Sequence, residues 1–351
     1  MPCTRPGRLS WFLIGTRQPI VGSAAVDGAA RRKGWLGMRR ILGLVIASVL
    51  AASVAGAQDP VTRFQSGVDL VGLNVVATDA QGRLVKGLAS TDFTVFEDGQ
   101  RQDVSVFAVV PAPIDLALLL DTSASMADKI ATVQQVAIGF IGVVRPSDRI
   151  SVVEIKDVIR VLHPLNEDVA GAKKAIGGTF ARGNTALYNG VYMTIKELVR
   201  QRPANGDIRR QAIVVLSDGD DTSSLVAVDD LMDLAKQAGV AIYTISLRTN
   251  TYGTSVYTRD QRSHAESQYV MKALASETGA RAFFPTAVAD LAGIYDAIAD
   301  ELANQYLVGY VPKNGVRDGS YRRVDVRIER AGIRARTRAG YVATPSASAA
   351  R

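Results

Sequence analysis

The chain has 351 residues, of which 47% are hydrophobic and 21% are charged. This length suits one large domain with a smaller one, and this composition excludes a largely disordered chain. The formal net charge of +7 would suit a nucleic-acid-binding protein, but it is concentrated in residues 1–57. Removing their eight basic residues and one acidic residue from the totals of 41 and 34 leaves 33 of each sign, so we predict no nucleic-acid partner.

The leader, residues 1–57, has the pattern of a secretory signal peptide. Arg39 and Arg40 precede an apolar run, Ile41–Val54, which ends in Ala55-Gly56-Ala57. A basic start, an apolar core and a small-residue cleavage site together indicate export, so we expect a periplasmic or secreted protein. The alternative is an uncleaved anchor, because the run is close to spanning length. Only in that case do we expect contact with a membrane.

The only cysteine, Cys3, lies in the leader, before a second candidate for the start of translation at Met38. No cysteine follows the apolar run, so a lipoprotein anchor is excluded. The mature chain is therefore predicted to lack disulfides, thiolate metal sites and a cysteine nucleophile.

Residues 58–112 are predicted to form an N-terminal β segment. Val71, Leu73 and Val75 alternate with other residues, as expected of a strand with one buried face. The same alternation and the turn signals between strands recur at further positions: Phe93 and Val95, Val104 to Ala108, Asp79 to Gly82, and Asp98-Gly99.

Residues 113–304 alternate between strand and helix patterns. Ile114–Leu120 and Ala212–Leu216 are continuous apolar runs, typical of parallel strands buried on both faces. The other predicted strands are 150–155, 158–162, 240–247 and 282–284, and the predicted helices are 129–144, 187–199, 225–238, 267–278 and 290–304. A turn at Lys156-Asp157 predicts a hairpin and hence an antiparallel edge. The pattern predicts an α/β fold, a doubly wound, mostly parallel sheet with helices on both faces.

Residues 305–343 return to strand patterns, at 306–311, 324–328 and 333–337. We expect this C-terminal segment to pack with residues 58–112 as one small β domain. The tail, residues 344–351, is small and polar and is predicted to be disordered.

Oxygen-bearing side chains follow both buried strands. Asp121, Ser123 and Ser125 come directly after the first strand, Asp218 follows the second, and Thr185 opens a helix between them. Ligands of open α/β sheets bind at the carboxyl ends of the strands, so we expect these side chains to converge. Two carboxylates and three hydroxyls, without His or Cys, favour a hard divalent cation: Mg²⁺, Mn²⁺ or Ca²⁺.

Asp121, Ser123, Ser125, Thr185 and Asp218 match the metal-ion-dependent adhesion site (MIDAS) of von Willebrand factor type A (VWFA) domains. Over roughly residues 64–343, the sequence resembles the exported bacterial VWFA-related group. The resemblance implies a VWFA domain at 113–304 whose three hydroxyls bind Mg²⁺ and whose two aspartates act directly or through water. It also implies a non-enzymatic module, with an acidic side chain of a protein ligand completing the coordination.

Other hypotheses remain open for the same residues. A metal-dependent hydrolase, such as a phosphoesterase, would use Asp121 or a metal-bound water, although no Asp-x-Asp nucleophile motif, Gly-x-Ser-x-Gly elbow or phosphate loop is present. A structural protein with an empty site is another alternative. Asp121 and the serines would then only cap the following helix.

Several polar residues have simpler explanations. Asp220 and Asp221 are expected to be solvated loop charges, with tuning of the ion as the alternative, and Asp157 is expected only to make its turn. His163 and His264 lie in unrelated contexts and are expected to be structural or exposed. Tyr252 and Tyr257 belong to a polar loop, 249–264, which is predicted to be a mobile insertion or a partner contact near the metal edge.

Overall fold

The computed structural model describes residues 70–109, 112–203, 209–217, 221–247 and 260–344. All of them belong to one of the two units into which the chain divides, Gly67–Arg351. The leader, Asp218, Asp220, Tyr252 and Tyr257, the last seven residues and the His264 side chain lie outside the described part. None of the helices in the described ranges is both long and apolar enough to cross a membrane.

The described residues form fourteen strands and six α-helices. The strands are β1 (Val71–Thr78), β2 (Phe93–Glu97), β3 (Gln100–Gln102), β4 (Val104–Ala108), β5 (Ile114–Asp121), β6 (Arg149–Ile155), β7 (Arg160–Asn166), β8 (Arg210–Ser217), β9 (Ala241–Ser246), β10 (Ala282–Phe283), β11 (Tyr306–Tyr310), β12 (Tyr321–Ile328), β13 (Arg334–Arg336) and β14 (Gly340–Val342). The helices are α1 (Ile130–Ile141), α2 (Val169–Gly177), α3 (Leu187–Arg200), α4 (Val228–Ala238), α5 (Asp260–Glu277) and α6 (Leu291–Ala303).

The central sheet has six strands in the order β10-β9-β8-β5-β6-β7. All neighbours pair in parallel except β6 and β7, which form the predicted antiparallel hairpin at the edge. Every residue of β5 is buried, because successive residues of a strand face opposite sides of the sheet and helices cover both sides. The even-numbered apolar residues of β5 pack with α1, α2 and α6, and Ala117 and Leu119 pack with α3, α4 and α5. The predicted α/β fold is confirmed.

The segments before and after this α/β unit combine into two antiparallel sheets, which we call the flanking β unit. Their strand orders are β13-β1-β11-β4 and β14-β12-β2-β3, so each sheet contains strands from both ends of the chain. Leu73, Val95, Val308 and Val326 belong to one core shared by the two sheets. The predicted small β domain made from flanking segments is thus present.

Several elements differ from the predictions, among them α5, which begins at Asp260 and not at 267 and so includes part of the predicted loop 249–264. Three other differences have physical reasons. The sequence pattern missed α2, which contains two glycines; its start is marked by Asp168, whose Oδ1 accepts from the Gly171 amide at 2.9 Å. Helix α4 begins at Val228 and not at Leu225, because the Leu225 amide donates to Asn189 Oδ1. Strand β7 continues through Pro164. Proline has no backbone N–H to donate, and an edge strand tolerates it because one side of that strand has no partner strand.

Candidate metal site at the carboxyl edge of the sheet

Strand β5 lies directly between β6 and β8, and all three run in the same direction. Their carboxyl ends therefore meet at one edge of the sheet. β5 ends at Asp121, β6 at Ile155 and β8 at Ser217. The loops that leave these strands build the site.

Asp121 is fully buried, and two neutral donors orient its carboxylate. Oδ1 accepts from the Ser123 amide at 2.9 Å, and Oδ2 accepts from the Ser217 hydroxyl at 2.6 Å. The first contact turns the chain directly after the strand, and the second ties β5 to β8. The carboxylate is therefore held in place both from its own loop and from the neighbouring strand.

Ser123 and Ser125 flank the start of a short 3-10 helix, Ala124–Met126. Their hydroxyl oxygens lie 3.0 Å apart. Ser123 is buried and Ser125 is exposed, so the pair spans from the protein interior to solvent. Met126 is fully buried and anchors the turn in the core.

The loop that carries Thr185 docks against the loop after β5 through its backbone. The Arg182 amide donates to the Thr122 carbonyl at 2.8 Å, and the Ala124 amide donates to the Gly183 carbonyl at 3.0 Å. Gly183 has a φ of +78°, which glycine adopts without strain. These bonds bring the Thr185 segment alongside the Asp121-to-Ser125 segment.

Thr185 is buried and is tied in turn to the segment that follows Asp218. Its amide donates to the Thr222 hydroxyl at 3.0 Å, and its carbonyl accepts from the amides of Thr222 and Ser223 at 2.9 and 3.0 Å. Asp218 itself lies outside the described residues. In the sequence it follows Ser217 and precedes Thr222 and Ser223. The three loops named in the sequence motif are therefore linked to one another by hydrogen bonds of described residues.

A family model of the von Willebrand factor type A (VWA) domain matches residues 115–297, which is more than half of the chain. The chain belongs to this family. The match runs from β5 into α6 and so covers the whole central sheet of the VWA domain.

Solved structures of low sequence identity resemble this chain. An aerotolerance-related membrane protein from Bacteroides fragilis is 16% identical, with a TM-score of 0.41, over 54% of this chain and 98% of that chain. The vWF domain of the type V pili tip protein Mfa5 from Porphyromonas gingivalis is 14% identical, with a TM-score of 0.43, over 55% and 95% of the two chains. Proximal thread matrix protein 1 from the mussel byssus, with a zinc-occupied MIDAS motif, is 17% identical, with a TM-score of 0.42, over 57% and 48%. A comparison with curated proteins found no match.

The donor set of the VWA domain fits a small hard cation. Mg²⁺ binds oxygen ligands at about 2.0–2.1 Å in an octahedron, so adjacent ligands lie about 3 Å apart. The 3.0 Å between the hydroxyl oxygens of Ser123 and Ser125 suits two adjacent ligands of one ion. Among the described residues, no group of three or more His, Cys, Asp or Glu side chains is arranged to hold a metal, so a nitrogen- or sulfur-rich site is not found there.

Cationic side chains lie close to this oxygen cluster. Lys156 Nζ pairs with Glu154 Oε1 at 2.7 Å, and the same oxygen accepts from the Thr122 hydroxyl at 3.0 Å. Lys129 Nζ donates to the Ser125 carbonyl at 3.3 Å. Lys129 Nζ also lies 3.7 Å from Asp128 Oδ1, so each of these two lysines is paired with a carboxylate.

Two aspartates do more than the sequence indicated. Asp221 Oδ1 accepts from the Leu187 amide at 2.9 Å, at the start of α3, and burial raises the pKa of this carboxyl. Asp221 is therefore not a solvated loop charge. Both carboxylate oxygens of Asp157 accept from the Asn184 amide at 3.2 Å, so Asp157 also supports the Thr185 loop.

The sequence analysis did not identify Ser217 and Thr222, whose hydroxyls bond to Asp121 and to the Thr185 amide respectively. Neither gave a signal in the sequence, because the partner of each hydroxyl depends on which strands and loops become neighbours in the fold. His163 forms a 2.9 Å hydrogen bond from Nε2 to Asn166 Oδ1 on the edge strand β7, which agrees with a structural role.

Proposed function

We propose that this chain is an exported, non-enzymatic VWA module that holds one divalent cation and binds a protein ligand through it. The proposed metal ligands are five oxygen-bearing residues: Asp121, Ser123, Ser125, Thr185 and Asp218. The observation that carries the proposal is the backbone docking of the Thr185 loop onto the loop that follows the buried Asp121.

The chemistry of the donors supports both the ion and the kind of partner. Hydroxyl oxygens are neutral ligands, so three of them leave much of the charge of a divalent ion uncompensated. When bound, the cation would supply a positive charge and an open coordination position. Asp121, held by Ser123 and Ser217, would orient it. A carboxylate of a partner is the ligand best suited to that position, and Mg²⁺ is the ion that we favour.

Export is supported by the sequence of the leader alone. The basic pair Arg39-Arg40, the apolar run and Ala55-Gly56-Ala57 form the signal. We therefore place the module in the periplasm or outside the cell.

Metal binding is tested by titrating the chain with Mg²⁺ and Mn²⁺ in a calorimeter and by thermal unfolding. We expect saturable binding and a higher Tm for the wild type, and neither for Asp121→Ala. Asp325→Asn, an exposed aspartate of β12 paired with Arg327, is the control and should respond like the wild type. An identical response of Asp121→Ala and the wild type would refute the assignment.

Partner binding is tested by capture from a cell-envelope extract in Mg²⁺ and in EDTA. We expect a protein that is retained in Mg²⁺ and is lost both in EDTA and with Asp121→Ala. Turnover of a generic phosphoester by the wild type that disappears in Asp121→Asn would instead favour the hydrolase hypothesis.

A further inference from the structure

A positively charged cleft lies at the opposite edge of the sheet, where β5 and β8 begin. Its larger cavity has a volume of about 190 Å³ and is lined on its polar side by Arg202, Arg209, Arg210, Gln211 and Gln305. An adjoining cavity of about 50 Å³ shares Gly72, Asn74, Gly239 and Gln305 with it and reaches Thr337 and Arg338. We call the two together the arginine cleft.

Arg202 reaches the cleft from the chain after α3. Its Nε donates to Gln211 Oε1 at 2.8 Å, and its Nη2 donates to the Ala238 carbonyl at the end of α4. Both acceptors are neutral. Burial lowers the pKa of Arg202, because a charged guanidinium loses solvation in the protein interior.

Arg210 lies on β8 and is only 8% exposed. Its Nε donates to the Ala112 carbonyl at 2.9 Å, and its Nη1 donates to the Leu302 carbonyl at 2.6 Å and to Gln305 Oε1 at 2.9 Å. No carboxylate is among these acceptors. Burial lowers the pKa of this guanidinium to about 10.

Arg338 enters from the flanking β unit. Its Nη2 donates to the Gly72 carbonyl at 3.2 Å, whereas its Nε is buried without a hydrogen-bond partner. The neighbouring Thr337 hydroxyl is buried without a partner as well. A Cβ built on Gly239 would lie 3.2 Å from Arg338 Nη1, which places this guanidinium at the same end of α4 as Arg202.

The charge of the arginine cleft is not balanced by its own lining. Four arginines and Lys236 line the two cavities, against one acidic residue, Glu277. Arg209 pairs with Asp115, and that carboxylate also pairs with Arg149. Asp148 acts on Arg210 from outside the lining, where Arg145 opposes it. Burial, with a further contribution from Arg202, lowers the pKa of Arg338.

Carbonyls at the helix ends compensate for part of this charge, since a helix C-terminus carries about half a negative charge. These carbonyls accept from only a few of the N–H groups of the three arginines. A guanidinium has five N–H groups, and Arg202, Arg210 and Arg338 make two, three and one described hydrogen bonds respectively. Donors thus remain available on all three side chains.

We propose that the arginine cleft binds a phosphate group between the VWA domain and the flanking β unit. Arg202 and Arg210 line the larger cavity and Arg338 lines the adjoining one. A phosphate offers enough oxygens to accept from several guanidiniums at once, which a planar carboxylate does not. A cavity of about 190 Å³ is far above the roughly 10–15 Å³ that one water needs, so a phosphate fits with its remaining waters. The proposal is independent of the proposed metal site.

Calorimetric titration of the full chain with sodium phosphate, in EDTA to exclude phosphate bound through a metal, tests the proposal. We expect one saturable site, with an affinity at least tenfold lower in the double variant Arg202→Gln with Arg338→Gln. Arg327→Gln, an exposed arginine paired with Asp325, is the matched control and should bind like the wild type. Sodium chloride at equal ionic strength should give no saturable heat.

Three results would overturn the proposal: no saturable heat with the wild type, equal binding by the double variant, or binding of acetate as tight as that of phosphate. If the double variant does not fold, Arg338→Lys keeps the charge but removes the fork, and it should bind several-fold more weakly. A parallel titration with glycerol phosphate distinguishes a phosphate carried by a larger molecule from the free phosphate ion. Tighter binding of the ester supports a phosphate carried by a larger molecule, and tighter binding of inorganic phosphate supports the free ion.

Discussion

Strand β5 carries a fully buried aspartate near each end, and the two are used in opposite ways. Asp115, at the amino edge, is bound by Arg149 and Arg209, each at 2.6 Å. Asp121, at the carboxyl edge, accepts from the Ser123 amide and the Ser217 hydroxyl, which are neutral donors. The first carboxylate forms a structural ion pair, whereas the second fixes the turn after β5 and ties β5 to β8.

The direction of the chain explains why the edges differ. In a parallel α/β sheet, helices end at the amino edge, and their terminal carbonyls attract cationic side chains. Arg202 and Arg210 each donate to such a carbonyl, of Ala238 and Leu302 respectively. At the carboxyl edge, by contrast, the Ser123 amide and the Ser217 hydroxyl donate to Asp121.

The largest expected effect is that of Asp115→Ala. Removing this buried carboxylate leaves Arg149 and Arg209 without their partner, which should lower the free energy of unfolding by about 3–5 kcal/mol. Denaturant unfolding measures this loss, and Asp325→Ala on the exposed face of β12 should change it by less than about 0.5 kcal/mol. The metal affinity of folded Asp115→Ala should equal that of the wild type; a change there would mean that the two edges are coupled.

Ser217→Ala tests the support of Asp121 from the neighbouring strand. Loss of a group that orients a metal ligand typically weakens metal affinity by about ten- to a hundredfold, and we expect that range for Mn²⁺ measured by calorimetry. Ser151→Ala is the control, because Ser151 is a buried serine of β6 whose hydroxyl donates to the His163 carbonyl. Equal Mn²⁺ affinities of the two variants would show that Ser217 does not act on the site.

Gly183→Ala tests the docking of the Thr185 loop. Its φ of +78° costs a non-glycine residue about 1–2 kcal/mol, and the new Cβ would lie 2.5 Å from Asp157 Oδ2. Gly87→Ala is matched, since Gly87 has a φ of +74° and nothing within 4 Å of its Cβ. Both variants should lose stability in denaturant unfolding, but only Gly183→Ala should also bind Mn²⁺ more weakly.

The smallest effect is expected in the flanking β unit at high pH. Burial, and then the hydrogen bond to Glu97, raise the pKa of Tyr341 to about 12, against about 10 in an unfolded chain. The neutral phenol therefore stabilises the fold fully below pH 10, and this contribution is lost as the pH rises towards 12. The difference in unfolding free energy between the wild type and Tyr341→Phe should shrink over that range, and a constant difference would argue against the shift.

Local patterns were sufficient to predict the α/β sheet, its antiparallel edge and most flanking strands, because continuous and alternating apolar runs report burial directly. The three-residue strands β3 and β14 were not predicted. The patterns also placed Asp121 and Thr185 on loops that meet. They could not reveal Ser217 as a donor to Asp121, nor Asp157 as a partner of the Asn184 amide, because these contacts depend on which strands and loops become neighbours.

The arginine cleft could not be predicted from the sequence, because it too depends on which segments become neighbours. Arg202 and Arg338 lie 136 positions apart, and neither belongs to a periodic pattern or a motif. Only the ending of α4 beside the flanking strands brings them together. Long side chains that cap helix ends carry no local sequence signature comparable to an apolar run.

The chain enters the α/β unit from β4 and leaves it into β11, and these two strands are hydrogen-bonded neighbours. The VWA domain can therefore be regarded as a cassette inserted into a β framework that closes behind it. Domains with adjacent ends tolerate transplantation well. Exchanging this domain at the β4 and β11 junctions should therefore leave the β framework folded.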